Sequence, residues 1–186
     1  MTTFKELYAT FDPDAGIRGK QFERFVKWFL KNDPLWSSDI EKIWLWKEYP
    51  EKWGPDCGID LVFKHTNGET WAVQAKCYSP NYSITKADVD TFLSESGRHG
   101  IDKRLLIATT DLISANAKQV CDAPQAKEVT RFMLSHFESS SQEYPKRIED
   151  LDKPKKKKIP EPRAHQIEAI AAVAKQFKTV DRGQLI

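Results

Sequence analysis

Residues 53–76 read WGPDCGIDLVFKHTNGETWAVQAK, and the pairing of the two halves of this stretch decides the fold. The runs 59–64 and 70–76 flank His-Thr-Asn-Gly-Glu and read as two strands of a hairpin. A two-residue Asn67-Gly68 turn would set Asp60 opposite Ala75 and leave both faces mixed. A three-residue loop with Gly68 in the left-handed conformation moves the pairing by one residue, which exchanges the faces. Ile59, Leu61, Phe63, Trp71, Val73 and Ala75 then form one apolar face, and Asp60, Val62, Lys64, Ala72, Gln74 and Lys76 form the other. Burial of the first face selects this register, which sets Asp60 opposite Gln74 and diagonal to Lys76.

Two aspartates compete for attention in the stretch. Asp56 precedes the strand and Gly58, so it reads as a turn residue. Asp60 lies on the polar face and is the candidate. An aspartate, a glutamine and a lysine gathered in this way suit a phosphodiester-hydrolysing site. That chemistry needs oxygen ligands for a hard cation, a water to activate, and positive charge near the reacting phosphate. Magnesium uses only one or two protein carboxylates and keeps several waters. Asp60 would supply a carboxylate, Gln74 an amide oxygen and Ala75 its backbone carbonyl, while Lys76 would orient the water or stabilise developing charge. The alternative is the solvated side of an ordinary hairpin.

Working outward, RGKQFERFVKWFLK (18–31) places Phe22, Phe25, Val26, Phe29 and Leu30 at helical spacing, with Glu23 at the rim of that face. Residues 35–46 hold three of the six tryptophans and fit a short strand or a helix equally. Thr85 and Asp88 stand in capping-box spacing ahead of a helix. KRLLIATT (103–110) reads as a buried strand, Ser114–Cys121 as a helix and 129–134 as one more strand. The predicted fold is therefore α/β, with a central mixed sheet flanked by helices in three layers.

With 186 residues, 40% hydrophobic and 30% charged, the chain supports one domain with a core and some additional length. A net charge of +2 is undiagnostic, so a nucleic-acid surface would have to come from local clustering. Three cysteines without a Cys-x-x-Cys pair speak against disulfide staples and a structural zinc, and fit a reducing cytosol. No apolar run approaches the roughly 18 residues of a membrane span, and no secretion leader is expected.

The order of these elements resembles the PD-(D/E)xK nuclease superfamily, in particular its Mrr-like restriction endonuclease branch, whose motif is often Asp…Gln-x-Lys with a glutamate on the first helix. GKQFERFV matches that helix at Glu23, GIDLVF the strand at Asp60, and VQAKCY the Gln-x-Lys at Gln74 and Lys76. LLIATTDLISANAKQV looks like the strand and helix that close the family core, so the likeness covers residues 18–134. It implies a magnesium-dependent DNA endonuclease, with manganese as a substitute, whose catalytic residues are Asp60, Gln74, Lys76 and Glu23. The metal ligands would be Asp60, Gln74, the Ala75 carbonyl and Glu23, the last directly or through a water. Lys64, Lys86, Thr109 and Thr110 are candidates for double-stranded DNA contact.

Composition changes after residue 138. Residues 139–162 read as a Ser-, Pro- and charge-rich linker that includes Lys155–Lys158, a solvated run or a sequence-blind phosphate contact. Residues 163–186 restart a helix, and PEPRAHQIEAIAAV resembles the Pro-x-x-His-Gln helix ahead of the ATP-binding loop in superfamily 2 helicase-like motors. There Gln166 would contact adenine, while the phosphate-binding loop itself is expected beyond Ile186. A nuclease of residues 1–138 followed by such a motor resembles the N-terminal part of Type ISP or Type I-like restriction–modification enzymes of the bacterial cytoplasm. The resemblance implies motor, methyltransferase and target-recognition regions in the same polypeptide, and a second nuclease copy for a double-strand break. A DNA-binding module with a silent nuclease fold and a stand-alone Mrr-like enzyme acting on modified DNA are the alternatives.

Overall fold

The computed structural model describes residues 2–55, 58–123, 127–153 and 172–173. The chain divides into two compact units, Met1–Asp152 and Lys153–Ile186. Of the second, residues 172–173 are helical. The expectations for Lys155–Lys158 and Gln166 lie outside the described residues, as does that for Asp56 and, apart from residues 172–173, that for the motor-like helix.

The first unit runs α1 (Phe4–Tyr8), α2 (Ala15–Asn32), β1 (Ile40–Leu45), β2 (Leu61–His65), β3 (Thr70–Lys76), α3 (Lys86–Glu95), β4 (Lys103–Ala108), α4 (Ala115–Asp122), β5 (Val129–Phe132) and α5 (Leu134–Ser139), with 3-10 turns at Trp46–Glu48 and Ile148–Asp150. The strands lie in sequence order in one sheet. β1–β2 and β2–β3 are antiparallel and β3–β4 and β4–β5 parallel, so the sheet is mixed, as expected. None of the described helices is long and apolar enough to cross a membrane.

α2 begins where Asp14 accepts the Gly16 and Ile17 amides, both at 2.9 Å, which satisfies two free N–H groups of the first turn. Its apolar face buries Phe22, Phe25, Val26, Phe29 and Leu30 completely. Each such side chain contributes roughly 1.5–3 kcal/mol by leaving water. They pack with Leu61, Phe63, Val73, Leu105 and Ile107 on one side of the sheet. Across the sheet, Val62 and Ala72 meet Phe92 of α3, and Leu106 and Ala108 meet Val89 and Cys121. Thr85 begins α3 with its amide on the Asp88 carboxylate at 2.8 Å, fulfilling the capping pattern.

Two regions depart from expectation. Of the undecided stretch 35–46, Ile40–Leu45 form edge strand β1, whose Ile43 turns to the α2 side while Trp44 and the adjoining Trp46 join the other cluster. The segment read as linker from 139 is core up to Asp152. Tyr144, Ile148 and Leu151 are each at most 6% exposed and pack with Phe4, Phe25 and Phe137. Tyr144 also donates its hydroxyl to the Phe137 carbonyl at 2.7 Å. The compact unit therefore ends at Asp152 and not at residue 138.

Candidate active site

The hairpin closes through a three-residue loop in which Gly68 has φ +92°, and its amide bonds the His65 carbonyl at 2.9 Å. Leu61 faces Val73, Val62 faces Ala72, and Phe63 faces Trp71, the register selected by the clean apolar face. That register breaks at Asp60. The Asp60 amide donates to the Val73 carbonyl at 2.9 Å, although Val73 is already the partner of Leu61. Two residues of one strand thus answer to one of the other, the count that defines a β-bulge. The parity of the strand flips there, and Ile59, expected beside Leu61, is buried with Val62 and Ala72 instead. Asp60 consequently does not oppose Gln74 in the ladder.

The bulge turns the Asp60 carboxylate inward. Its Oδ2 accepts the Ala75 amide at 2.7 Å, taking the place of a strand carbonyl. The Asp60 carbonyl is anchored by the Trp46 amide at 2.8 Å. Because the N–H and C=O of a strand residue point to the same edge, the Ala75 carbonyl faces the gap where β2 has stopped pairing. A groove of about 240 Å³ opens beside Asp60 and Ile59, with Lys20, Glu23, Arg24 and Lys47 among its lining residues. Although part of Asp60 stays open to this groove, close packing desolvates the carboxyl and pushes its pKa up to about 7. Glu23 adds like charge in the same direction, while the Ala75 amide, Lys76 and Lys20 oppose it.

Glu23 reaches the groove from α2 with its side chain 16% exposed, and Lys20 pairs with it at 2.8 Å. Gln74 is 3% exposed; its Nε2 donates to the Gly58 carbonyl at 3.3 Å, and its Oε1 is buried with no donor. An unsatisfied buried acceptor costs about 1–3 kcal/mol. Lys76 is half-buried, and its ammonium has no hydrogen bond or ion pair among the described residues, while its field acts on Asp60. No group of three or more His, Cys, Asp or Glu side chains gathers among the described residues. Asp60 and Glu23 line the groove together, and the Ala75 amide ties β3 to the Asp60 carboxylate, while the Gln74 amide is buried against Gly58. Two carboxylates sharing one groove fit a hard divalent ion, which takes only one or two protein carboxylates and keeps several waters.

The remaining candidates fall elsewhere. Lys64 is exposed and opposes Lys42 across β1–β2, toward the hairpin turn. Lys86 is exposed and pairs with Asp90 at 2.6 Å. Thr109 and Thr110 are 1% and 0% exposed, and their hydroxyls bond backbone of the loop after β3, so neither faces a DNA phosphate. Cys77 is half-buried against the α2-side core, and burial pushes its thiol up to about 11. Sequence reasoning missed Lys20, Arg24 and Lys47 as groove residues. The signal for the first two was present, since both share an exposed flank of α2 with Glu23.

The restriction endonuclease family model Mrr_cat_2 matches residues 31–153, a span that includes Asp60, Gln74 and Lys76 and begins after Glu23. Among solved structures, the ATP-dependent Type ISP restriction-modification enzyme LlaBIII bound to DNA is similar over 100% of this chain, with 28% identity and a TM-score of 0.64. This chain spans 12% of the length of that enzyme. The MspJI restriction endonuclease in complex with a 27-mer oligonucleotide matches 72% of this chain and 29% of its own, at 15% identity and a TM-score of 0.43. No curated protein sequence matches. The resemblance drawn from the sequence holds, and the chain belongs to the Mrr-type restriction endonuclease family.

Proposed function

We propose that this chain is a metal-dependent DNA endonuclease module that hydrolyses phosphodiester bonds within a larger ATP-dependent translocating restriction–modification enzyme. The observation that carries the catalytic reading is the meeting of Asp60, held by the Ala75 amide, with Glu23 in one groove at the start of β2. Magnesium, or manganese in its place, would neutralise phosphate charge and make a water more acidic when held by these oxygens. Asp60 and Gln74 would hold it first, with Glu23 direct or through a water. Lys76, with no acidic partner committed to it, would orient the attacking water or stabilise charge developing on the phosphate. Lys20, Arg24 and Lys47 line the groove with positive charge suited to a DNA backbone, and Lys64 and Lys86 are further candidate contacts.

The likeness to a Type ISP enzyme over the full chain supports the wider context. In that context residues 163–186 begin a helicase-like motor in which Gln166 contacts adenine, and ATP serves the complete motor and not this stretch alone. Methyltransferase and target-recognition regions would belong to the same polypeptide, and a double-strand break would need a second nuclease copy. A second reading, a DNA-binding module with a silent site, is favoured by one observation: Gln74 stands where a second strand carboxylate would complete the metal site.

The test is nicking of supercoiled plasmid by the 186-residue chain with magnesium or manganese. Metal-dependent nicking that disappears in Asp60→Ala, with the fold retained, is the expected outcome. An equally active Asp60→Ala removes the site, and a wild type that binds DNA without nicking favours the silent module.

A further inference from the structure

β3 ends at Lys76, the last residue paired with β4, opposite Ala108. Lys76 carries a flexible four-carbon stem, and its ammonium has no fixed partner among the described residues. Its direction must therefore come from the backbone beneath it. That backbone is held by the pairing with Ala108 and, just beyond it, by Thr109. The Thr109 amide donates to the Lys76 carbonyl at 3.1 Å. The Thr109 hydroxyl accepts the Tyr78 amide at 2.8 Å and donates to the Tyr78 carbonyl at 2.6 Å. One buried side chain and its own amide thus fix the chain on both sides of Cys77, and Tyr8 supports the Tyr78 carbonyl with its hydroxyl at 2.9 Å.

Thr110 holds the next part of the loop and does not touch residues 76–78. Its hydroxyl reaches the Pro80 carbonyl at 3.0 Å and the Tyr82 carbonyl at 2.7 Å, and accepts the Leu112 amide at 3.1 Å. Farther on, the Tyr78 and Tyr82 phenols both bond the Asp88 carboxylate, at 2.6 and 3.0 Å. The loop is thereby anchored in successive layers, of which the Thr109 layer alone includes the residue bearing the ammonium.

We propose that Thr109 is a positioning residue for Lys76: by clasping the backbone at residues 76 and 78 it aims the lysine stem at the gap beside Asp60. The catalytic consequence rests on the proposed nuclease reading, whereas the aiming itself does not. Two buried threonines in sequence allow a clean comparison. A merely structural hydroxyl would be replaceable with the same outcome at 109 and at 110, whereas a positioning role is confined to 109.

The experiment uses Thr109→Val, Thr109→Ser and Thr110→Val in the full 186-residue chain. In one arm, lysines are labelled by reductive 13C-methylation and the Lys76 resonance is assigned with Lys76→Arg. Thr109→Val should move this resonance into the envelope of exposed lysines, while Thr109→Ser and Thr110→Val leave it in place. In the other arm, nicking kinetics should show kcat lowered about 10- to 100-fold in Thr109→Val with KM within about twofold, since displacing a reacting group by about 1 Å costs on the order of a hundredfold. Thr109→Ser should return to within about threefold of wild type, because the hydroxyl is restored at the same place. Should Thr109→Val fail to fold, Thr109→Ala carries the same comparison. An unmoved Lys76 resonance, or equal effects of Thr109→Val and Thr110→Val in either arm, overturns the proposal. A wild type that never nicks removes the nuclease reading and leaves the resonance to decide whether Thr109 aims Lys76.

Discussion

Asp60→Asn should stabilise the metal-free protein, increasingly so as pH rises. The carboxyl ordinarily titrates at 3.8 and is pushed to about 7 in the folded chain, chiefly by desolvation and next by Glu23. Between those values the folded state holds a proton that the unfolded state has released, so stability falls as pH rises through this window. Below about pH 3.8 both states are protonated and nothing is lost; above about pH 7 the whole cost is present. At about 1.36 kcal/mol per pH unit the full gap corresponds to about 4 kcal/mol. Because part of Asp60 remains open to the groove, a working range of about 2–4 kcal/mol is appropriate. Asparagine keeps an oxygen for the Ala75 amide and cannot ionise, so the variant escapes this cost. Urea unfolding followed by tryptophan fluorescence measures it well. All six tryptophans lie within Met1–Asp152, so the signal reports that unit. The stability difference between variant and wild type should widen by about 2–4 kcal/mol from pH 4 to pH 8, other titrating groups being common to both. A saturating divalent ion should narrow the gap again, by about 2.7 kcal/mol at a concentration a hundredfold above its dissociation constant. A difference constant within about 0.5 kcal/mol over this pH range would refute the argument, since such a gap contains no differential proton binding.

Other expected outcomes follow the same logic. Gln74→Met removes the orphaned Oε1 for an apolar group of similar length. It should leave metal-free stability unchanged or raised by about 1 kcal/mol, while abolishing stabilisation by magnesium in thermal unfolding. Destabilisation beyond about 2 kcal/mol would mean that the 3.3 Å bond from Nε2 to Gly58 holds more than its length suggests. Leu151→Ala should cost about 2–5 kcal/mol as a core truncation, and should open the segment after residue 138 to protease. A cost under about 0.5 kcal/mol would mark that segment as surface.

The sequence made the β2–β3 hairpin legible to within one residue. Leu61, Phe63, Trp71 and Val73 form a clean face only in the three-residue-loop register, so hydrophobic burial alone settled β2 against β3. The same reasoning failed at Ile59 and Asp60, because a bulge changes strand parity without leaving a compositional trace. Glu23 was readable from its place at the rim of an amphipathic helix. The role of β1 was not, since Ile43 and Leu45 on one face and Trp44 and Trp46 on the other make both faces apolar and erase the apolar–polar alternation of a half-buried strand. Tyr144, Ile148 and Leu151 do stand at helical spacing, but Lys146, Arg147, Glu149 and Asp150 between them made the stretch read as linker. Thr109 and Thr110 looked like residues waiting at a strand end for a ligand. What they bind is the chain itself, a long-range contact that local composition cannot express.

The hydrogen bond from the Ala75 amide to Asp60 gives the molecule a spectroscopic handle of its own. An amide proton given to a carboxylate at 2.7 Å is sensitive to any change of charge on that oxygen. A proton or a cation arriving at Asp60 would therefore register in the resonance of a neighbouring alanine that ionises nothing and whose side chain ligates nothing. Occupancy of the gap could be followed in solution, without substrate and without turnover, from the frequency of one backbone amide.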